Sequence, residues 1–265
     1  MTDYEQHGMS AEEIEAIQDR YGKGPHLAAD LVVLTARWDT AQAGTGGQRA
    51  ETGESPDLRV LLIERANKPY RGRWALPGGF VDMDEDLEPA ARRELQEETG
   101  IADLGSARVE QVGAFGHPLR DPRSRVISVV HLAWVPWRSL DAPQAGDDAA
   151  AAQFVRIRNG SAQDERGKPL PLAFDHDHVL ARTWERVRAQ AEHSSAPLAL
   201  TPQTFTSAQA CALYEAFTGP SDRLALVSWL ERNRWIEQAG EDLWRAVSTK
   251  TCWERPTWQS GAHPD

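Results

Sequence analysis

One stretch, Gly79 to Ile101, constrains this chain more than any other part of it, and it reads GFVDMDEDLEPAARRELQEETGI. The stretch carries the signals that begin and end a helix. Asp84 or Asp86 can cap the first turn, Pro89 is tolerated within that turn, and Gly100 supplies a left-handed exit. The glycine turn, Pro77-Gly78-Gly79, lies at the start of the stretch and lets the backbone approach a ligand closely. The stretch therefore predicts a loop, a helix and a second loop beside a binding site.

The predicted helix carries three glutamates, Glu94, Glu97 and Glu98, at positions i, i+3 and i+4. Residues at this spacing share one arc of a helix surface, and here an apolar stripe runs beside that arc. Like charges at i and i+4 destabilise a helix by about 0.3 kcal/mol, and by more when partly desolvated, so we expect a cation among them. Oxygen ligands favour Mg²⁺ or Mn²⁺. The alternative is a solvated acidic helix face.

The residues around these glutamates form a longer pattern: Gly-x5-Glu-x7-Arg-Glu-apolar-x-Glu-Glu-x-Gly-apolar. Nine specified positions are filled, and they are Gly79, Glu85, Arg93, Glu94, Leu95, Glu97, Glu98, Gly100 and Ile101. The chain therefore resembles the Nudix hydrolase family, without a departure at any fixed position of the pattern. The resemblance implies an α/β/α sandwich with a mixed sheet between helices.

The resemblance also implies roles for the residues of the pattern. Glu94, Glu97 and Glu98 would hold Mg²⁺ or Mn²⁺ together with a backbone carbonyl of the glycine turn, from Gly78 or Gly79. A pair formed by Glu85 and Arg93 would orient the cluster. The resemblance leaves the general base open, and the three candidates are Glu94, Asp147 and Asp148.

Two further segments predict contacts with a diphosphate substrate. Arg71, Arg73 and Trp74 precede the glycine turn, where the cations can meet phosphate and the aromatic ring can stack on a base; alternatively, the arginines are solvated and Trp74 fills the core. A later loop carries Arg120 and Arg123. The run that follows the pattern resembles ADP-ribose pyrophosphatases of the family, in which a downstream proline, here matched by Pro118, accompanies use of ADP-ribose. We expect hydrolysis of ADP-ribose to AMP and ribose 5-phosphate.

Outside this region, the sequence predicts a helix over residues 10–21 and strands over 31–37, 59–65, 109–115, 126–136 and 154–157. A long mobile hairpin loop is expected over 39–57 and a flexible acidic loop over 142–152. Asp175 is expected to cap a helix over about 176–191, and His176 is expected to be a surface or capping residue. The predicted domains are an N-terminal accessory segment (1–27), a Nudix domain (28–193), a linker (194–202), a winged-helix-like α+β domain (203–258) and a tail (259–265).

A Nudix domain followed by a winged helix resembles the Nudix-related regulators of NAD metabolism, which sense ADP-ribose and release DNA. Residues 198–265 hold six basic and eight acidic side chains, a net charge of −2, whereas a DNA-binding module needs a basic face. This charge disfavours DNA, which stays as an alternative partner to the small-molecule substrate. A second alternative is a MutT-like activity that removes damaged nucleoside triphosphates.

Composition limits the remaining possibilities. A net charge of −11 argues against general adhesion to nucleic acid or to an anionic membrane. Two cysteines do not suggest a disulfide framework or a zinc site, and the sequence shows neither a long apolar run nor a signal-peptide pattern. We expect a cytoplasmic homodimer without a membrane partner.

Overall fold

The computed structural model describes residues 8–21, 24–40, 51–104, 107, 109–146 and 149–247. The helices are α1 (Ala11–Tyr21), α2 (Leu87–Thr99), α3 (His176–His193), α4 (Ser207–Thr218) and α5 (Arg223–Arg232). The strands are β1 (His26–Thr40), β2 (Glu51–Arg65), β3 (Trp74–Ala75), β4 (Gly78–Phe80), β5 (Val109–Phe115), β6 (Val126–Trp134), β7 (Ala149–Arg158), β8 (Ser161–Gln163), β9 (Ile236–Gly240) and β10 (Leu243–Ala246).

An eight-stranded mixed sheet forms the centre of the first part of the chain. Its main strand order is β5-β6-β1-β2-β7-β8, with β1 parallel to β6 and the pairs β5 with β6, β2 with β7 and β7 with β8 antiparallel. Strand β3 pairs with β2 through Ile63 and Glu64, and β4 pairs with β1 through Ala28 to Asp30. The glycine turn therefore lies between β1 and β2.

Helix α2 packs on one face of this sheet. Ala90, Ala91 and Leu95 of the helix are buried in one cluster with strand residues such as Leu31 and Leu61. Because successive side chains of a strand point to opposite faces, Asp30 faces away from this cluster. The apolar stripe thus buries one side of α2, and its acidic arc borders the buried region, as the sequence predicts.

The ends of α2 are fixed by local interactions. Asp86 is the N-cap, and its carboxylate accepts a hydrogen bond from the Leu87 N–H at 2.7 Å. Gly100 closes the helix with φ 70°, in the left-handed region where glycine carries no steric penalty. The predicted helix is confirmed with both of its boundaries.

The chain divides into two compact units, one made of residues 1–37 and 57–186 and the other of 38–56 and 187–265. In the second unit, α4 and α5 are followed by the antiparallel pair of β9 and β10. A core of Leu198, Phe205, Tyr214, Leu230 and Ile236 holds these elements together. The order of two helices and a hairpin agrees with the sequence, and its identity as a winged helix stays a prediction.

Three expectations about local structure are wrong. Strand β1 continues to Thr40 and β2 begins at Glu51, so the expected loop over 39–57 is too long; backbone pairing extends the strands into polar sequence. Strand β7 begins at Ala149, inside the expected acidic loop. His176 is buried rather than at the surface. Asp175 directly precedes the helix as expected, and its carboxylate also binds Arg120.

A membrane-spanning helix needs both length and apolar sequence, and none of the helices in the described part of the chain has both.

Candidate active site

A cleft of about 340 Å³ opens beside the glycine turn. Its walls combine the turn, the acidic side of α2, the end of β2 and the loop before β6. The charged residues that line it are Asp30, Arg65, Lys68, Asp82, Arg93, Glu94, Glu98, Arg120, Asp121 and Arg123. The lining also includes Gly78, Gly79, Phe80, Phe174 and His176. The cleft is thus strongly polar, with carboxylates and guanidinium groups on its walls.

Glu98 is the most deeply placed carboxylate of α2 in this cleft. The residue is 7% exposed, and its Oε2 accepts a hydrogen bond from the backbone N–H of Gly78 at 3.0 Å. The pKa of Glu98 is raised to about 8, chiefly by burial; the hydrogen bond from Gly78 opposes this rise and the neighbouring Glu94 adds to it. Burial likewise raises the pKa of Glu94. Two desolvated carboxylates therefore lie on one wall of the cleft.

Arg93 connects the remaining acids of the pattern. Its guanidinium donates to Glu85 at 2.6 and 3.1 Å, to Glu94 at 2.7 Å and to Glu97 at 3.1 Å. A further bond reaches the Phe80 carbonyl at 3.0 Å, which joins the helix to the strand that leaves the glycine turn. The expected partnership of Arg93 with Glu85 is present, and the same arginine also holds the carboxylate of Glu94.

Whether these residues suit a divalent cation depends on their donors and surroundings. Among the described residues, no three His, Cys, Asp or Glu side chains form a ready-made metal-binding group. Glu97 points to Arg93 with its side chain 58% exposed, and it does not line the cleft. Glu94 and Glu98 do line it, and a Cβ atom on Gly79 would collide with the Glu94 carboxylate, so this carboxylate lies against the turn backbone. Desolvated carboxylates beside a backbone suit a hard divalent cation.

Four of the six expected substrate contacts are absent from the lining of the cleft. Arg71 and Arg73 are exposed, and Arg73 extends over the Tyr70 ring instead. Trp74 and Ala75 point to opposite sides of β3, so Ala75 lines the cleft while Trp74 lines a separate depression beside Leu170. Pro118 is also exposed and is not part of the lining. A turn, an alternating strand and an exposed loop thus direct these residues elsewhere.

Arg120 and Arg123 both line the cleft, but their surroundings differ. Arg120 is 6% exposed, and it donates to the Asp175 carboxylate at 2.8 to 3.1 Å. Arg123 is part-buried; it pairs with Asp121 at 2.7 Å and lies 5.2 Å from the centre of the Phe80 ring. Arg120 is therefore held in a buried ion pair, and Arg123 presents a guanidinium beside an aromatic ring.

The lining also contains residues that the sequence analysis did not single out, and among them are Asp30, Arg65, Phe174 and His176. Asp30 is a single acid inside the apolar strand run HLAADLVVL, and an isolated carboxylate in such a run is a usable signal because buried charges need a partner. Arg65 lies 4.8 Å from the Phe174 ring centre. The burial of His176 carries no clear sequence signal. The other candidates for the general base, Asp147 and Asp148, lie outside the described residues.

Comparison with known proteins places this cleft in context. The protein family described as "NUDIX domain" matches residues 49–182 of this chain. The chain is 34% identical over 164 residues to "ADPR responsive transcriptional repressor NtrR" of Acinetobacter baylyi, which covers 61% of each protein. It is 41% identical over 125 residues to "ADP-ribose pyrophosphatase" of Methanocaldococcus jannaschii, covering 47% of this chain and 64% of that protein. The match spans less than two thirds of the length of both relatives.

A solved structure extends the similarity to most of the chain. The crystal structure of a MutT/nudix family protein from Enterococcus faecalis aligns with a TM-score of 0.65 and 25% identity. The alignment covers 92% of this chain and 96% of that one. The fold around the cleft is therefore one that a solved protein of this kind also has.

Proposed function

The chain belongs to the Nudix family, and from that premise we propose that it is a divalent-metal-dependent hydrolase of ADP-ribose, releasing AMP and ribose 5-phosphate. The observation that carries the proposal is the pair of desolvated carboxylates, Glu94 and Glu98, on one wall of a cleft that also holds Arg65, Lys68 and Arg123. The carboxylates suit a divalent metal ion, and the basic side chains beside them suit phosphate. The cleft therefore matches a metal-bound diphosphate. The similarity to a protein named ADP-ribose pyrophosphatase supports the choice of substrate.

Mg²⁺ or Mn²⁺ would be held by Glu94 and Glu98 with a carbonyl of Gly78 or Gly79, and by Glu97 once its bond to Arg93 opens. When bound, such an ion neutralises phosphate charge and lowers the pKa of a coordinated water. Arg93, fixed by Glu85 and the Phe80 carbonyl, orients Glu94 and restrains the strand after the turn.

The other cleft residues have roles that follow from their positions. Arg123 and Lys68 can meet the diphosphate, and their charge stabilises the phosphoryl group as negative charge develops on it. Phe80 and Phe174 line the cleft, where an aromatic ring can stack on the planar base. Of the three candidates for the general base, Glu94 is the one that lies within the described residues. Arg120 has a structural role, because its guanidinium is already bound to Asp175.

The test is the release of AMP from ADP-ribose in the presence of Mg²⁺, for the wild type, Glu97→Gln and Glu98→Gln. Glu88→Gln is a matched control, because Glu88 lies on the same helix and pairs with Arg92 on its exposed side. NADH and 8-oxo-dGTP, assayed in parallel, separate this activity from other pyrophosphatase activities and from a MutT-like one. The proposal fails if the wild type releases no AMP from ADP-ribose, whether or not it hydrolyses NADH or 8-oxo-dGTP.

A second candidate function is ADP-ribose-dependent regulation of transcription. The observation that favours it is the similarity to a protein named as an ADP-ribose-responsive repressor, together with the helix, helix and hairpin order of the second unit. In that unit Arg223, Arg232 and Arg234 are exposed and available to DNA phosphates. Regulation predicts tight ADP-ribose binding with negligible turnover, and DNA binding that weakens steeply with salt. A homodimer would bring two such units to one DNA site.

A further inference from the structure

A buried polar network lies behind the glycine turn, and its members have no role in the function proposed above. At its centre is His176, the first residue of α3, with 4% of its surface exposed. The Nδ1 atom of His176 accepts a hydrogen bond from the backbone N–H of Leu76 at 2.9 Å. Because Nδ1 accepts, the neutral ring carries its proton on Nε2. The bond spans 100 residues of sequence and ends one residue before the turn begins.

Three hydrogen bonds fix the backbone from Leu76 to Gly78, one at each residue. The Leu76 N–H donates to His176, the Pro77 carbonyl accepts from the Leu31 N–H at 2.9 Å, and the Gly78 N–H donates to Glu98 at 3.0 Å. Only the last of these partners belongs to the proposed metal site. The position of the turn relative to Glu98 therefore depends on the two bonds before it, together with the pairing of β4 with β1 that begins at Gly78 and Asp30.

The histidine is itself held by charged neighbours. Asp30 accepts a hydrogen bond from the Ser128 hydroxyl, and its Oδ2 lies 3.6 Å from Arg120 Nη2 and 3.9 Å from His176 Nε2. Arg120 in turn binds the carboxylate of Asp175, the residue before His176. The Asp30 carboxylate also lies so close to Gly78 that a Cβ atom there would collide with it. These contacts join α3 and β1 around the turn.

We propose that His176 is a positioning residue, whose Nδ1 fixes the Leu76 amide and so keeps the Gly78–Gly79 turn in register with the Glu98 carboxylate. The catalytic part of this inference rests on the proposed hydrolase function, whereas the structural part stands on the hydrogen bonds alone. Without the acceptor, the Leu76 N–H is a buried donor without a partner, and the backbone must shift to satisfy it. Such a shift displaces the turn carbonyls from the carboxylates opposite them.

Two substitutions of nearly equal size separate this role from simple core packing. His176→Asn keeps an acceptor oxygen near the position of Nδ1, while His176→Leu fills a similar volume without an acceptor. In His176→Leu we expect faster hydrogen exchange of the backbone over residues 74–80, weaker Mn²⁺ binding to the nucleotide-free protein, and a kcat for ADP-ribose reduced by about tenfold or more with KM changed less than about threefold. In His176→Asn all three quantities should stay within about threefold of the wild type.

The two variants distinguish a positioning role of His176 from simple core packing. Equal losses in both variants, or unchanged exchange and Mn²⁺ binding in His176→Leu, overturn the proposal. If the leucine variant does not fold, the wild type decides alone: a scalar coupling across the hydrogen bond between the Leu76 nitrogen and His176 Nδ1 supports the proposal, and its absence at neutral pH contradicts it. If the wild type does not hydrolyse ADP-ribose, the proposed function fails, and exchange together with Mn²⁺ binding still decides the role of His176.

Discussion

The Glu98 carboxylate accepts a hydrogen bond from the Gly78 amide at 3.0 Å, although the two residues are 20 positions apart in sequence. This bond joins the acidic side of α2 to the glycine turn at the wall of the cleft. It offsets only part of the cost of burying the carboxylate, since the pKa of Glu98 is still raised to about 8. The site therefore holds unfavourable electrostatic energy that a bound cation would relieve.

Replacing this carboxylate should stabilise the protein when no metal is bound. The pKa of Glu98 rises from 4.5 to about 8 on folding, so the wild type loses stability as pH increases through this interval. Glu98→Gln keeps the acceptor for Gly78 and has no proton to lose. With chelator present, urea unfolding should show the variant more stable by on the order of 2 kcal/mol at about pH 8.5 and nearly equal to wild type at about pH 4.5.

Glu88→Gln is the control for that experiment, because Glu88 is exposed on the same helix. It should show no comparable change of relative stability with pH. A Glu98→Gln variant that is less stable than wild type at alkaline pH would contradict the assigned burial.

Removing Arg93 should impair the site more than removing its neighbour Arg92. Arg93 bonds to three glutamates and to the Phe80 carbonyl, whereas Arg92 pairs only with Glu88 among the bonds described for it. We expect Arg93→Ala to lower Mn²⁺ affinity and kcat/KM for ADP-ribose by about 10-fold to 100-fold, and Arg92→Ala to change both by less than about twofold. Titration of Mn²⁺ and steady-state kinetics give the two readouts. Similar effects of both substitutions would remove Arg93 from its assigned role.

The two arginines of the loop before β6 should separate stability from binding. Arg120→Met leaves Asp175 and Asp30 beside the cleft without their cation, which should lower the free energy of unfolding by about 3 kcal/mol. Arg123→Met should instead raise KM for ADP-ribose by about tenfold, with a smaller loss of stability, because its side chain is partly exposed in the cleft. Urea unfolding and KM measurements test both. The reverse assignment of effects would show that Arg120 meets the phosphate.

DNA binding should be weak if hydrolysis is the main activity. The C-terminal residues 198–265 carry a net charge of −2, which gives little favourable neutralisation of phosphates. Selection from a random duplex library, with the full chain as bait at physiological salt, should enrich no common sequence. Enrichment of one sequence, with affinity that falls steeply as salt rises and changes with ADP-ribose, would favour the regulator.

The sequence predicts those parts of the structure that local signals control. The cap at Asp86 and the exit at Gly100 lie where expected. At the start of α1, Ser10 and Glu13 bond reciprocally at 3.1 and 2.7 Å, which is also an interaction of short range. The pairing of Arg93 with Glu85 also follows from the family pattern. These features depend on neighbours within one helix turn or on a fixed motif.

Side-chain direction and long-range partners were harder to predict. Trp74 misses the cleft because strand alternation turns it to the other side of β3, and the sequence does not specify which side faces the cleft. The sequence does not indicate that Arg120 binds Asp175, 55 residues away. It also does not indicate that His176 is buried, with its Nδ1 accepting from an amide 100 residues away. Such partners are set by tertiary packing, and no spacing rule indicates them.

The most direct test of the metal-dependent site is kcat/KM for ADP-ribose at increasing MgCl₂ concentration, in the wild type, Glu98→Gln and Glu88→Gln. We predict that wild type and Glu88→Gln release AMP only when Mg²⁺ is added, and that Glu98→Gln loses about 100-fold or more of this activity while remaining folded. Full activity of Glu98→Gln, or equal AMP release with and without Mg²⁺, would contradict the account.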